Sequence, residues 1–222
     1  MAAASLVGLQ VNIKKTEVLT TPSDIPGDLS LNGNLLPRVT SFRYLGGVVP
    51  GIRDDFRRRK QQAWAACTRL NLVWRSRTLP NIMKIRIFST IVESIFLYNS
   101  ETWSLTNSLE SEISSAHSAL LRHALNVKSS ERRSNLEVFG EHPRAHELLK
   151  RRRLQLAGHM IRCEGTNPQV LHRVLLSRFD GPNHPSRQRL YWQLLARDIC
   201  LAETTPEMTF QKLKDEALKR SF

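Results

Sequence analysis

Adjacent carboxylates are the minimum equipment for holding the two divalent ions, about 4 Å apart, that bridge attacking and leaving oxygens when a nucleic acid is copied. The chain offers such a pair at Asp54 and Asp55, after Gly51-Ile52-Arg53. The pair opens a helical pattern, and aspartate at a helix start caps backbone N–H groups and suits the dipole. No third carboxylate is spaced to join it, so capping is the preferred reading. Glu141-His142, and His159 with Cys163, are the other groups with ligand chemistry. His159 and Cys163 can share one face of a predicted helix. Two ligands do not build a zinc site, no Cys-x-x-Cys motif accompanies them, and His172 and His184 would have to complete the set. Neither a nucleophile-elbow serine nor a Gly-x-x-x-x-Gly-Lys phosphate loop occurs. These residues alone supply no enzyme site.

Positive charge is the stronger signal. The 222 residues carry 33 Lys and Arg against 20 Asp and Glu, a formal net charge of +13. Much of it falls in two runs, Arg57-Arg58-Arg59-Lys60 and Lys150-Arg151-Arg152-Arg153. Clustered cations point to a polyanionic partner, RNA or DNA, against the competing reading of a generally basic surface. Contacts of this kind go mostly to phosphate, so binding is expected to be weakly sequence-selective and strongly salt-dependent. Cys67, Cys163 and Cys200 are odd in number and widely spaced. That argues against a disulfide framework and fits a reducing compartment, nucleus or cytoplasm. The first residues lack the basic flank and apolar core of a signal peptide. No apolar run reaches the roughly 20 residues of a membrane span; the longest, residues 82–97, is broken by Lys84, Arg86 and Glu93.

The elements that must carry these groups follow from periodicity. Residues 1–50 read as short strands and turns: Leu9, Val11 and Ile13 alternate with polar neighbours, Asn32-Gly33 suits a tight hairpin, and Gly46-Gly47 interrupts a β-rich segment. From Asp54 the period is helical. Phe56, Ala63, Cys67, Leu70 and Trp74 share one face, and the first basic run projects mostly from the other. Pro80 suits the start of a second helix, and residues 82–98, apolar almost all round, are expected to form a central core element. Asn107 or Ser108 caps a third helix striped by Leu109, Ile113, Ala116, Leu120 and Ala124. Residues 129–135 read as a polar loop. A long helix after Pro143 sets Leu148, Leu149, Leu156 and Met160 against the second basic run and Arg162. Residues 178–187 read as a loop. Leu190, Tyr191, Leu194, Leu195 and Ile199 mark another helix, and Thr204-Thr205-Pro206-Glu207 opens a last one with Leu213 and Ala217 inward. Trp64, Trp74 and Trp103 fall in apolar stripes and read as core rather than base-stacking platforms.

The runs Gly8-Leu9-x-Val11-Asn12-x-x-Lys15-Thr16, Phe42-x-Tyr44-Leu45-Gly46, Tyr98 to Trp103 and Arg151 to His159 together resemble, in order, the C-terminal part of a non-LTR (LINE-type) retrotransposon reverse transcriptase. Gly8, Leu9, Val11, Asn12, Lys15 and Thr16 match that family's Gly-Leu-x-hydrophobic-Asn-x-x-Lys-Thr segment at the end of the palm. Phe42, Tyr44, Leu45 and Gly46 match its primer-grip turn, Phe-x-Tyr-Leu-Gly, and an acidic pair and a basic helix follow. Tyr98-Asn99-Ser100-Glu101-Thr102-Trp103 is similar to Tyr-Gly-x-Glu-x-Trp, with Asn99 in the glycine's place. Residues 151–159 resemble an Arg-Arg-x-x-hydrophobic-x-Gly-His element. Gly181-Pro182-Asn183-His184-Pro185 and Trp192 stand where a Gly-Arg-Pro loop and a tryptophan are usual, with the arginine displaced.

The resemblance implies a mainly α fold with a small N-terminal β/α+β part. A palm-remnant hairpin (1–50) would be followed by a helical thumb (51–128) and a basic helical extension (129–222). It implies that Lys15 lies near the site of the incoming triphosphate, without a catalytic role in this chain. Tyr44, Leu45, Gly46 and Gly47 would back the primer end. Arg57, Arg58, Arg59 and Lys60 would face a template–primer duplex, and Lys150, Arg151, Arg152, Arg153 and Arg162 would grip RNA or target DNA. The Tyr-x-Asp-Asp turn, with the Mg²⁺ of the parent family, and the fingers and endonuclease domains would lie upstream. No cofactor is then expected for this chain, Ala2-Ala3-Ala4 would end a palm helix, and Met1 would be an internal methionine. Three readings are open: an inactive reverse-transcriptase fragment that keeps nucleic-acid affinity, a domesticated non-enzymatic binding module, or a degraded product that never folds stably.

Overall fold

The computed structural model describes residues 8, 11–19, 28–162, 191–199 and 206–218. Ala2-Ala3-Ala4, Leu9, Cys163, His172, the 178–187 loop, Cys200 and Thr204-Thr205 lie outside them. The described residues are mostly helical, with short antiparallel hairpins on the N-terminal side, as expected. No described helix is long and apolar enough to cross a membrane. The chain divides into two compact units, residues 1–55 and 56–222.

The first unit is built from turns. Strands β1 (Ser30–Leu31) and β2 (Asn34–Leu35) pair through Asn32 and Gly33, at φ 52° and 75°. Strands β3 (Phe42–Tyr44) and β4 (Gly47–Val49) pair Phe42 with Val49, Arg43 with Val48 and Tyr44 with Gly47. Leu45 and Gly46 turn that hairpin at φ 46° and 83°. Two positive φ values in succession give the mirror-image turn that matches strand twist. Of the alternation at Leu9, Val11 and Ile13, the described part, Val11 and Ile13, does not become a strand. Ile13–Lys15 instead forms one 3₁₀ turn, closed by Lys15 N–H on the Asn12 carbonyl at 3.0 Å and by Thr16 Oγ1 on the same carbonyl at 2.9 Å. Local bonds to a nearby carbonyl compete with sheet pairing, and Val11 is left exposed.

In the second unit the helical stripes hold. Helix α1 (Ile52–Arg69) and the short α2 (Asn71–Arg75) bury Phe56, Ala63, Cys67 and Trp74. Trp74 Nε1–H donates to the Cys67 carbonyl at 2.7 Å, and Lys84 Nζ donates to the Trp74 carbonyl at 2.7 Å. Trp103 is buried with its ring edge-on to Phe56, while Trp64 is half-buried against His123.

Residues 81–96 run as α3 (Asn81–Ile87), a π-helical segment (Phe88–Glu93) and α4 (Ser94–Phe96). They are not the all-round apolar core element that composition suggests. Ile82 is 63% exposed and Met83 and Ile91 are exposed, whereas Lys84 and Glu93 are each 7% exposed. Lys84 is drawn in by the Trp74 carbonyl. The i→i+5 bonds of the π segment shift the inward face relative to α-helical spacing and turn Glu93 inward. The turn that follows the rod reaches Asn99, φ 65°, a left-handed position where asparagine is among the better-tolerated substitutes for glycine.

Helix α5 (Asn107–Ala124) is capped one residue earlier than expected: Thr106 Oγ1 accepts the Leu109 N–H at 3.3 Å. Its predicted stripe is buried, together with His117 and Leu121. The expected 129–135 loop holds a 3₁₀ turn (Ser129–Glu131) and passes at once into α6 (Asn135–Phe139), started by a Ser134–Glu137 capping box. Helices α7 (Ala145–Arg162), α8 (Tyr191–Asp198) and α9 (Pro206–Leu218) share a core of Leu154, Ala157, Ile161, Leu195, Leu213 and Ala217. Within it the Arg153 guanidinium forks onto the Asp198 carboxylate, Nε to Oδ2 at 2.7 Å and a terminal nitrogen to Oδ1 at 3.1 Å. On the neighbouring residue, Arg197 makes a bidentate pair with Glu110 of α5 at 2.8 and 3.0 Å.

Removing one partner of a buried pair strands a charge, whereas replacing both with apolar residues is often close to neutral. Asp198→Ala is expected to lower unfolding stability by about 3–5 kcal/mol, and Arg153→Met with Asp198→Leu to recover most of that loss, both read from urea unfolding. Burial pushes the Cys67 thiol up to about 11, with the neighbouring Trp74 acting in the opposite direction. With Cys163 and Cys200 changed to serine, Cys67 is expected to resist a thiol reagent at about pH 8 and to react once urea unfolds the chain.

Candidate nucleic-acid interface and a buried Glu-His-His centre

Successive residues on an α-helix point about 100° apart, so neither basic run can face one way. In the first, Arg57 and Lys60 are exposed and Arg58 is half-buried. Arg59 lies on the buried face with Phe56 and Ala63, its guanidinium 4.2 Å from the centre of the Tyr98 ring, a cation–π contact. In the second, Lys150 and Arg151 are exposed. Arg152 is half-buried, donates to the Leu97 carbonyl at 2.7 Å and lies 3.8 Å from Glu101. Arg153 is 1% exposed and committed to Asp198. Arg162 is exposed and its Nη1 lies 3.5 Å from the Ala217 carbonyl.

Lys150, Arg151, Gln155, His159 and Arg162 thus form one outward stripe along α7, about 18 Å long at 1.5 Å per residue. In the first unit Lys15 is exposed on its 3₁₀ turn, Tyr44 is exposed, Gly46 is half-buried and Gly47 is buried. The Asp54-Asp55 pair belongs to the start of α1, where Asp55 Oδ1 accepts the Val48 N–H at 3.3 Å.

Sequence reasoning did not find a second surface. Ser111, Ser114, Ser115 and Ser118, with Arg122, line a shallow groove of about 380 Å³ on α5. Their i, i+3, i+4, i+7 spacing was the available signal. Arg122 is held there by the Arg133 carbonyl at 2.7 Å and Asn135 Oδ1 at 2.9 Å. Serine hydroxyls and arginine are groups that contact phosphate oxygens.

The largest departure from expectation lies in the core. Glu93, at the end of the π segment, sets Oε1 2.6 Å from His117 Nε2 and 2.9 Å from His142 Nε2. His117 comes from α5. His142 comes from the turn after α6, where Gly140 takes φ 54° and the His142 N–H closes on the Phe139 carbonyl at 2.9 Å. The His117 ring stacks on Phe96, the His142 ring stacks on Phe139, and Phe88 touches both imidazoles. His117 Nδ1 is buried without a hydrogen-bond partner. Among the described residues this is the only group of three potential metal ligands. The sequence pairs His142 with Glu141 and His159 with Cys163; in the structure Glu141 and His159 are exposed. No local spacing could join residues so far apart along the chain. The one signal was that His117 falls on the apolar stripe of α5.

Burial raises the Glu93 carboxyl, but the hydrogen bonds and electrostatic attraction of His117 and His142 outweigh it and hold it below the usual range. A carboxyl depressed in the fold contributes stability that is complete above its unfolded value, about 4.3 for glutamate, and is lost as pH falls through the lower folded value. Urea unfolding in chelator between about pH 7 and about pH 3 is expected to show that acid loss, and Glu93→Gln to flatten it. An unchanged acid limb in the variant contradicts the assignment.

Comparison of the chain with protein-family models, with curated proteins and with solved structures gave no match.

Proposed function

We propose that the chain is the C-terminal part of a non-LTR retrotransposon reverse transcriptase, and that it holds RNA or DNA through the phosphates without copying it. The observation that carries this reading is the outward stripe of Lys150, Arg151, His159 and Arg162 on α7. It lies within and beside the segment that resembles the family's Arg-Arg-x-x-hydrophobic-x-Gly-His element. The exposed Tyr44-Leu45 turn and the left-handed Asn99, standing where the family has glycine, agree with the same reading.

The chemistry is electrostatic. Arginine and lysine displace condensed counterions from the strand, and each phosphate neutralised adds about 0.9 to the slope of log affinity against log salt for duplex DNA, or about 0.7 for a single strand. Arg57 and Lys60 on α1 add a second exposed pair. Arg59 and Arg153 hold the fold, because each has its guanidinium committed inside it. No Tyr-x-Asp-Asp run occurs in the sequence, so no polymerisation is assigned to this chain. Its Mg²⁺ chemistry would belong to carboxylates of the intact parent.

Fluorescence anisotropy on a primer–template duplex tests the binding. Lys150→Ala, Arg151→Ala and Arg162→Ala combined are expected to weaken binding across sequences and to lower the salt slope by about 2–3. Changing Lys212 and Lys214 is expected to leave both nearly unchanged. Absent binding at low salt, or a flat salt response, overturns the electrostatic reading. Template-dependent primer extension by the pure chain with Mg²⁺ or Mn²⁺ overturns the non-catalytic one. The family assignment is checked separately, by whether the upstream reading frame encodes a Tyr-x-Asp-Asp run.

A further inference from the structure

We infer that Glu93 Oε1, His117 Nε2 and His142 Nε2 form a structural zinc site inside the helical unit. The three atoms all lie within 4.8 Å of one another, although the residues come from the π segment, α5 and the turn after α6. One carboxylate oxygen with two imidazole nitrogens is a donor set suited to Zn²⁺ and neighbouring first-row ions, whereas Mg²⁺ and Ca²⁺ take oxygen ligands. The hydrogen bonds of the Glu93 carboxylate go to these two imidazoles. No lysine or arginine makes an ion pair with it among the described residues, so a bound dication would reinforce the attraction that the two imidazoles already supply.

The two edges that meet at Glu93 need only a small opening, and the two imidazole nitrogens already lie within 4.8 Å of each other. The present separations of 2.6 and 2.9 Å are hydrogen bonds. Tetrahedral Zn²⁺ at about 2.0–2.1 Å from each ligand holds neighbouring ligand atoms about 3.3 Å apart, so the imidazoles must withdraw by roughly half an ångström. The His142 side chain is 9% exposed against 1% for His117, so it is the imidazole with more room to swing. Each imidazole must then give up the Nε2 proton that it donates to Glu93, so that the Nε2 lone pair faces the ion and the ring carries its proton on Nδ1. A water or the second Glu93 oxygen completes the four ligands.

Two observations set the kind of site. The walls are the rings of Phe88, Phe96 and Phe139, and the serine groove is lined by other residues, so the ion would pin three elements together rather than meet a substrate. His117 Nδ1 has no acceptor in its buried surroundings. A metal-bound histidine usually donates that second N–H, and lacking the partner typically weakens binding about 10–100-fold. This site is independent of nucleic-acid binding, and its failure would leave the proposed function standing.

The test uses the full chain in a Cys163→Ser, Cys200→Ser background, stripped with chelator and free of any histidine tag. Titration with Co²⁺ is expected to give the d–d absorption of a tetrahedral site at one ion per chain, without thiolate charge-transfer bands. Zn²⁺ is expected to raise Tm by several degrees, and chelator to reverse it. Glu93→Gln and His142→Ala should each weaken Zn²⁺ binding by about 100-fold or more. X-ray absorption on the zinc-loaded wild-type chain keeps the inference testable if both variants misfold: it should show two imidazoles and only light-atom ligands. No Co²⁺ spectrum with a zinc-independent Tm would mean a hydrogen-bonded triad only and would overturn the inference. So would undiminished binding in both folded variants, or a sulfur ligand.

Discussion

Four consecutive residues on an α-helix sweep through about 300°, so a run of four cations laid on a packed helix must send at least one of them toward the core. Both basic runs of this chain meet that constraint, and they resolve it differently. On α1 the inward member, Arg59, rests on an aromatic ring. On α7 the inward member, Arg153, finds a carboxylate and fills both of its oxygens. The outward members are left where a polyanion can reach them. The division between cations that hold the fold and cations that can bind follows from helix geometry before any partner is considered.

The fold was most legible where a signal is local or repeats. Asn32-Gly33 announced its hairpin, and the stripe from Leu109 to Ala124 announced α5, because turn chemistry and a 3.6-residue period are properties of neighbouring residues. Legibility failed where distant residues decide. The π segment leaves no periodic trace, so the 82–98 stretch looked almost uniformly apolar while two of its three charged residues, Lys84 and Glu93, turned inward and Ile82 turned out. Leu9, Val11 and Ile13 gave too short an alternation to outweigh the bonds that Asn12 makes with its own neighbours. Helix α6 was hidden in a polar stretch because its start depends on the Ser134–Glu137 box rather than on an apolar stripe.

The same division runs through the candidate sites. A basic face could be read from composition, but which arginines belong to it could not, since Asp198 lies 45 residues beyond Arg153. The Glu93 cluster was beyond reach because its members converge only in three dimensions. His142 was singled out as a possible ligand, yet its neighbour in sequence, Glu141, points to solvent, and its partners come from two other elements. Buried ionisable groups of this kind cost desolvation and are retained only when they are satisfied together.

Helix α8 spans few residues, yet its last two grip two different helices: Arg197 reaches Glu110 on α5 and Asp198 reaches Arg153 on α7. It works as a clasp whose two prongs are adjacent in the chain. A premature stop codon ahead of it would remove both prongs at once and leave a bare guanidinium in the wall of α7. The seating of α5 and α7 therefore depends on residues that lie 87 and 45 positions further along the chain, however complete the bundle before them looks.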